Sequence, residues 1–227
     1  MDFKRKGKLP WLTMLMYSIK HRGLSNTCSL GWKEWRKERQ LGINTFGDSS
    51  TDELSIESDS KIGGHLYQPS SSVIFGRAMK ELPFSFQDKV FLDVGSGKGR
   101  AMILAAEAGF KKVIGVEYAA ELNDIAHTNI EVVKPRFPKT EFELSEGDAL
   151  EYKMPEEVDV IYLFNPFDED TICKLLQQLK EIFNRDKKIY LVYVHPVHRN
   201  VFEEAFGKPV STITNWKGIT DVVIFSN

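Results

Sequence analysis

Val90-Phe91-Leu92-Asp93-Val94-Gly95-Ser96-Gly97-Lys98-Gly99-Arg100 decides how this chain folds. Val90, Phe91, Leu92 and Val94 form an apolar run without polar alternation, the pattern of a strand covered on both faces. Three glycines follow within five residues, and helix formers continue to Gly109. Glycine accepts positive φ and lets a ligand approach the backbone closely. A strand passing through a glycine turn into a helix places that turn at the carboxyl end of a sheet, where open α/β folds bind ligands.

Working outward, the apolar spacing predicts further strands over 112–118, 140–144, 159–165, 187–194, 210–214 and 221–225, with the first over 89–95. Helices are predicted over 73–82, 98–109, 120–133, 169–183 and 198–206. Gly109 and Pro135 stop two of them, and Ser70 or Ser71 caps the first. Apolar strands alternating with helices imply a parallel sheet covered on both sides. No long helix separates the last two strands, so they pair as an antiparallel hairpin. The expected fold is α/β, a Rossmann-like, doubly wound, mostly parallel seven-stranded sheet with a C-terminal hairpin. Residues 70–227 form this domain. Residues 1–69 form a basic, helical extension that continues into an acidic loop.

The chain has 227 residues and a net charge of -2, which argues against whole-molecule attraction to nucleic acid. No module for nucleic-acid binding is recognisable. Cys28 and Cys173 lack metal-ligand spacing and are too few for a disulfide scaffold, so no metal is expected and a reducing, cytoplasmic setting fits. No apolar run approaches the roughly 20 residues that span a bilayer. Lys4, Arg5, Lys6 and Lys8 precede an apolar stretch over 9–16, which imitates a secretory signal. Ser18, Lys20, His21 and Arg22 follow without a small-residue cleavage site, against that reading. Trp11, Trp32 and Trp35 lie among basic residues. They pack inside helices capping the domain, or they give the segment a weak contact with an anionic membrane surface. Residues 48–59, acidic and serine-rich, read as a solvated linker or lid edge.

The glycine turn is not a dinucleotide fingerprint, because its third glycine comes one residue early. It is not a P-loop either, since Gly99 lacks the following Lys-[Ser/Thr]. Glu117 ends the second strand about 20 residues on, where a carboxylate accepts from both hydroxyls of a ribose. Glu146-Gly147-Asp148-Ala149 follows the third strand, either as a ligand contact or as an Asx-type turn. Asp93-Val94-Gly95-Ser96-Gly97-Lys98-Gly99 resembles the first motif of class I S-adenosylmethionine-dependent methyltransferases. That resemblance implies that Gly95 and Gly97 meet the amino acid part of S-adenosylmethionine and that Asp93 holds its amino group. Ser96, Gly99, Arg100 and Tyr118 join the same set of contacts. It further implies that Glu117 takes the ribose, Asp148 the adenine amino group and the Ala149 amide the adenine ring.

Asn165-Pro166-Phe167 follows the fourth strand. It resembles the [D/N]-P-P-[Y/F] motif of methyltransferases acting on planar or amide nitrogens, with one proline missing. The resemblance makes Asn165 a contact of both cofactor and acceptor, and Phe167 a stacking face. Asp168, Glu169, His195 and His198 are candidate bases, with His195 placed best at the end of the fifth strand. Leu41-Gly42-Ile43-Asn44-Thr45-Phe46-Gly47 and Tyr67-Gln68-Pro69-Ser70 extend the likeness to a widespread bacterial group of methyltransferases. Gly64-His65-Leu66-Tyr67-Gln68-Pro69-Ser70 is also similar to the segment before the core of seven-strand histone-lysine methyltransferases, which puts Tyr67 at the site. The expected activity is methyl transfer to a nitrogen of a protein, lysine-type, or of a small molecule. The competing expectations are a nicotinamide-dependent oxidoreductase and a non-catalytic cofactor-binding domain.

Overall fold

The structure is a computed structural model that describes Ile19 and residues 23–45, 69–164 and 167–227. The sequence expectations for residues 4–16 and 48–59, and for Tyr67, Asn165 and Pro166, lie outside the described residues. Among the described residues, no helix is long and apolar enough to cross a membrane.

Helix α1 (Leu24–Leu41) leads to α2 (Ser72–Lys80) and then β1 (Val90–Val94). There follow α3 (Arg100–Ala108), β2 (Lys112–Glu117), α4 (Ala120–Val133) and β3 (Glu141–Glu146). The chain continues through β4 (Val160–Phe164), α5 (Glu169–Phe183) and β5 (Tyr190–Val194). It closes with α6 (Arg199–Phe206), β6 (Ser211–Thr214) and β7 (Thr220–Ser226). The seven strands lie in the order β3-β2-β1-β4-β5-β7-β6. Strands β1 to β5 run parallel, whereas β7 is antiparallel to both β5 and β6. The chain turns back on itself between β1 and β4, and ligands bind at such a switch point.

Every residue of β1 is buried. Leu92 and Val94 face α5 and α6 through Leu175, Leu179 and Phe202, while Phe91 meets Phe75, Met102 and Tyr162 on the other side. α4 and α5 take the ranges the sequence predicts. Other boundaries shift by about one to three residues, two of them for a visible reason. Helix α3 begins at Arg100 because Gly99 is left-handed, with φ of 79°, and belongs to the turn. Strand β3 runs on to Glu146 because its ladder with β2 continues to the Glu117–Glu146 pair.

The packing of α1 corrects one expectation. Trp32 and Trp35 are not inside: they stack on each other at 5.0 Å and are 61% and 43% exposed. The guanidinium of Arg39 lies 4.9 Å from the Trp35 ring centroid. The helix docks instead through Glu34, Glu38 and Leu41, which are buried. Leu41 packs on Ile103 and Val133.

Candidate functional site

The glycine turn lies flat on the end of β2. The N–H groups of Gly95 and Ser96 both donate to the Val116 carbonyl, at 2.9 and 3.0 Å. Gly97 N–H donates to Glu117 Oε2 at 2.7 Å, and Gly99 N–H to the Ser96 carbonyl at 2.9 Å. Gly95 and Gly97 have φ of 81° and 53°, which L side chains rarely adopt. A Cβ at Gly115 would come within 2.3 Å of Met102 Sδ and 2.8 Å of Ser96 Oγ, so a glycine there makes room for the turn. Four backbone donors of the turn are thus used inside the protein. A phosphate-binding nest works the other way, aiming its N–H groups at the ligand.

The charges of the site come from Asp93 and Glu117, both buried. Burial, and then the neighbouring Glu117, pushes the Asp93 carboxyl up to about 8. Burial also raises Glu117, against the N–H groups of Ala119, Gly97 and Tyr118 that favour its charged form. Glu117 Oε1 accepts from Ala119 N–H at 2.9 Å. Each Glu117 oxygen keeps a further lone pair for a ribose hydroxyl. Two buried acids side by side are relieved by a cation and aggravated by an anion.

At the end of β3, Asp148 Oδ1 accepts from Leu150 N–H at 2.8 Å. The residue therefore does form the Asx-type turn. Among the described residues its Oδ2 has no hydrogen-bond partner, which leaves it for a ligand amine. Ala149 is buried in the core against Val116 and Met154, so its share in the site is its backbone amide. Glu117 and Glu146 are ladder partners. The acids Asp93, Glu117 and Asp148 thus lie at or just beyond the carboxyl ends of β1, β2 and β3, each about two residues further along than the last.

Arg100 and Gly99 also make contacts within the protein. Arg100 is only 2% exposed. It donates to the Ser70 carbonyl at 3.1 Å, to Thr45 Oγ1 at 2.9 Å and to Glu34. A first-turn helical side chain points back over the preceding turn, and here that direction leads to the N-terminal extension. Gly99 likewise serves packing: a Cβ there would lie 3.2 Å from Ala126 Cβ of α4.

On the acceptor side, Phe167 is half-buried and packs against the core on the α5 and α6 face. Asp168 caps α5, accepting from Thr171 N–H at 3.0 Å. Its carboxylate is thus held at the helix end. Glu169 lies 3.7 Å from His198 Nδ1. His195 is the one non-glycine with positive φ, 48°, among the described residues. Such backbone costs about 1–3 kcal/mol and collects at functional sites. Its N–H donates to the Asp221 carbonyl, and its ring lies 5.3 Å from that of Phe164. Phe164 ends β4, so His195 stands beside the strand end that leads into Asn165.

Tyr162 was not anticipated. It is fully buried opposite Asp93 in the β1–β4 ladder, and its hydroxyl donates to Ser70 Oγ at 3.2 Å. A tyrosine within the apolar run Val160-Ile161-Tyr162-Leu163-Phe164 is the signal, since its hydroxyl needs a partner. A cavity of about 440 Å³ opens at the other end of the sheet, around Lys112, Lys187, Glu157 and Asp159. Its charges neutralise one another, with Lys187 3.1 Å from Asp159 and Lys112 3.6 Å from Glu157.

S-adenosylmethionine fits the donor set. It carries a cationic sulfonium, an ammonium and a ribose, and the site offers buried carboxylates. A family described as a methyltransferase domain matches residues 91–186. The crystal structure of an RNA methyltransferase from Salinibacter ruber with S-adenosyl-L-homocysteine superposes with a TM-score of 0.53. It is 20% identical and covers 70% of this chain and 93% of that one. The fold is the class I methyltransferase fold. Among curated relatives, the histone-arginine methyltransferase CARMER of Drosophila willistoni is 34% identical over 87 residues. That match spans 38% of this chain and 16% of the relative. Protein arginine N-methyltransferase 1 of Schizosaccharomyces pombe is 34% identical over 85 residues, 37% of this chain and 24% of the relative. The chain thus spans less than a quarter of the length of these curated relatives. Both are eukaryotic, so the expected bacterial grouping rests on the sequence resemblance alone. The family match is to a methyltransferase domain, and the buried carboxylates of the site fit S-adenosylmethionine.

Proposed function

We propose that this protein transfers the methyl group of S-adenosylmethionine to a nitrogen of a protein side chain. The buried Asp93–Glu117 pair carries the cofactor half of this reading: it favours a cationic ligand and opposes the pyrophosphate of a nicotinamide cofactor. The names of the curated relatives support a protein acceptor of the arginine type. They give no support to the lysine type expected from the sequence, which stays a reading of the resemblance.

The bound cofactor supplies an electrophilic methyl on a positively charged sulfur. The chain's own residues then hold the partners in line and exclude water. Asp93 takes the ammonium, Glu117 the ribose and Asp148 the adenine amine. The acceptor nitrogen would take that methyl, with the carbon–sulfur electron pair left on sulfur. The nitrogen must also give up a proton. For a lysine this costs about 4.6 kcal/mol at pH 7, from its reference pKa of about 10.4. In this reading His195 receives that proton and Asn165 accepts from the nucleophile. Incubation with labelled cofactor and histone or arginine-rich peptides tests the acceptor. Asn165→Ala should lose turnover and keep S-adenosylhomocysteine binding. Near wild-type turnover in that variant removes Asn165 from the mechanism. Cofactor binding without transfer to any protein or small molecule instead favours a non-catalytic domain.

A further inference from the structure

Behind the glycine turn, on the side away from β2, lies a buried polar cluster that the chemistry above does not use. Arg100, the first residue of α3, meets three separate stretches of chain through one guanidinium: Ser70, Thr45 and Glu34. Arg100 and Glu34 are each 2% exposed. The second oxygen of Glu34 accepts from Ser72 N–H at 2.7 Å, Ser72 Oγ at 2.8 Å and Ser71 Oγ at 3.1 Å. Glu38, one turn on, accepts from both the N–H and the hydroxyl of Thr45. Asn129 of α4 forms a second arm. It exchanges hydrogen bonds with the backbone of Asn44, at 2.8 and 3.1 Å, and donates to the Lys98 carbonyl at 3.0 Å. Residues 44–45 are therefore tied to the glycine turn twice, at Lys98 and at Arg100.

We propose that Glu34 and the Asn44-Thr45 segment are positioning residues for the cofactor, acting through Arg100 and Lys98 to fix the glycine turn. A buried charge is stable only while its partner is present, so this pairing admits one geometry. The turn gives itself little support, because Gly95, Gly97 and Gly99 resist bending less than any other residue. Its opposite face is pinned by Val116 and Glu117. The brace thus closes the turn between two fixed walls. The same cluster reaches Asp93, since Ser70 accepts from Tyr162, which lies opposite Asp93. This inference rests on the cofactor reading above.

The test measures S-adenosylhomocysteine binding by calorimetry to the whole chain and to Glu34→Gln, Thr45→Val and Asn227→Ala. Glu34→Gln keeps shape and hydrogen bonding but removes the charge. Thr45→Val is milder and decides the matter if Glu34→Gln does not fold. Asn227→Ala is the structural control, because Asn227 holds the carbonyls of Phe183, Arg185 and Lys187 at the far end of the sheet. Both brace variants should weaken binding, Glu34→Gln by about tenfold, or about 1.4 kcal/mol. The KM for S-adenosylmethionine should rise more than kcat falls. Asn227→Ala should lower the melting temperature with wild-type affinity. If folded brace variants lose melting temperature but bind as the wild type does, the cluster only holds the fold and the proposal fails. If the wild type itself does not bind, the cofactor reading fails.

Discussion

If Asp93 takes the ammonium of the cofactor, as proposed above, cofactor binding is a proton-release reaction. Its carboxyl is held near 8 by burial and by Glu117, so at pH 7 about nine in ten free molecules carry a proton there. An ammonium brought against it favours the charged form and returns it toward the ordinary carboxylate range. Binding of S-adenosylhomocysteine should then release roughly 0.9 proton per site at pH 7 and about 0.1 at pH 9. The apparent Kd should tighten by nearly tenfold per pH unit from 6 to 7, about 1.4 kcal/mol, and level off above 8. Calorimetry at one pH in buffers of different ionisation enthalpy reads the released protons as a slope. Asp93→Asn should flatten that slope and weaken binding. The same variant should stabilise the free protein. The folded state keeps a proton that the unfolded chain loses near 3.8, so the stability tied to Asp93 is complete below that pH. It declines as pH rises toward 8, by up to about 4 kcal/mol at pH 7. A zero slope at pH 7, or an unchanged slope in Asp93→Asn, would refute the assignment of the ammonium to Asp93.

Other changes test separate parts of the structure. Gly97→Asp puts bulk and negative charge beside Glu117, and should abolish S-adenosylhomocysteine binding while far-UV circular dichroism stays that of the wild type; retained affinity removes the turn from the site. Gly115→Ala drives a methyl into Met102 and Ser96, and should cost about 1–3 kcal/mol in urea unfolding. Trp32→Ala with Trp35→Ala removes an exposed stack, and should change stability by about 1 kcal/mol or less. The same pair should abolish sedimentation with phosphatidylserine vesicles; a wild type that does not sediment ends the membrane-surface reading.

The apolar runs carried the order and type of the elements, because β1, β2, β4, β5 and β7 are buried along nearly all their length. The turn and the acids at the ends of β1, β2 and β3 were equally legible, since their places follow from where strands stop. What stayed hidden depends on contacts distant in sequence. Glu34 and Arg100 are 66 residues apart, and nothing local marks an acid in a basic segment as their meeting point. Arg100 reads as a ligand contact because it follows the glycines, and nothing local shows that its guanidinium also meets Glu34. The three tryptophans read as a core for a similar reason. Composition identifies apolar residues, but not that Glu34, Glu38 and Leu41 form the docking stripe.

The cofactor end of this fold is built around a conflict. Asp93 and Glu117 repel each other when ionised, yet that repulsion is what makes a cation the favoured ligand. Relief without the ligand is available if the turn moves away and lets water reach the acids. Glu117 opposes this on one side by accepting from Gly97. Arg100 and Asn129 oppose it on the other by tying the turn to residues 44–45. A turn of three glycines cannot hold its own shape against such strain, so the restraint has to come from outside it. The N-terminal extension provides it, which explains why an acidic pair on α1 is buried while the tryptophans of the same helix face solvent. The acceptor is a separate matter. The 91–186 match covers the cofactor strands and the Asn165 turn, whereas His195 lies beyond it and the N-terminal extension before it. The same fold serves an RNA methyltransferase.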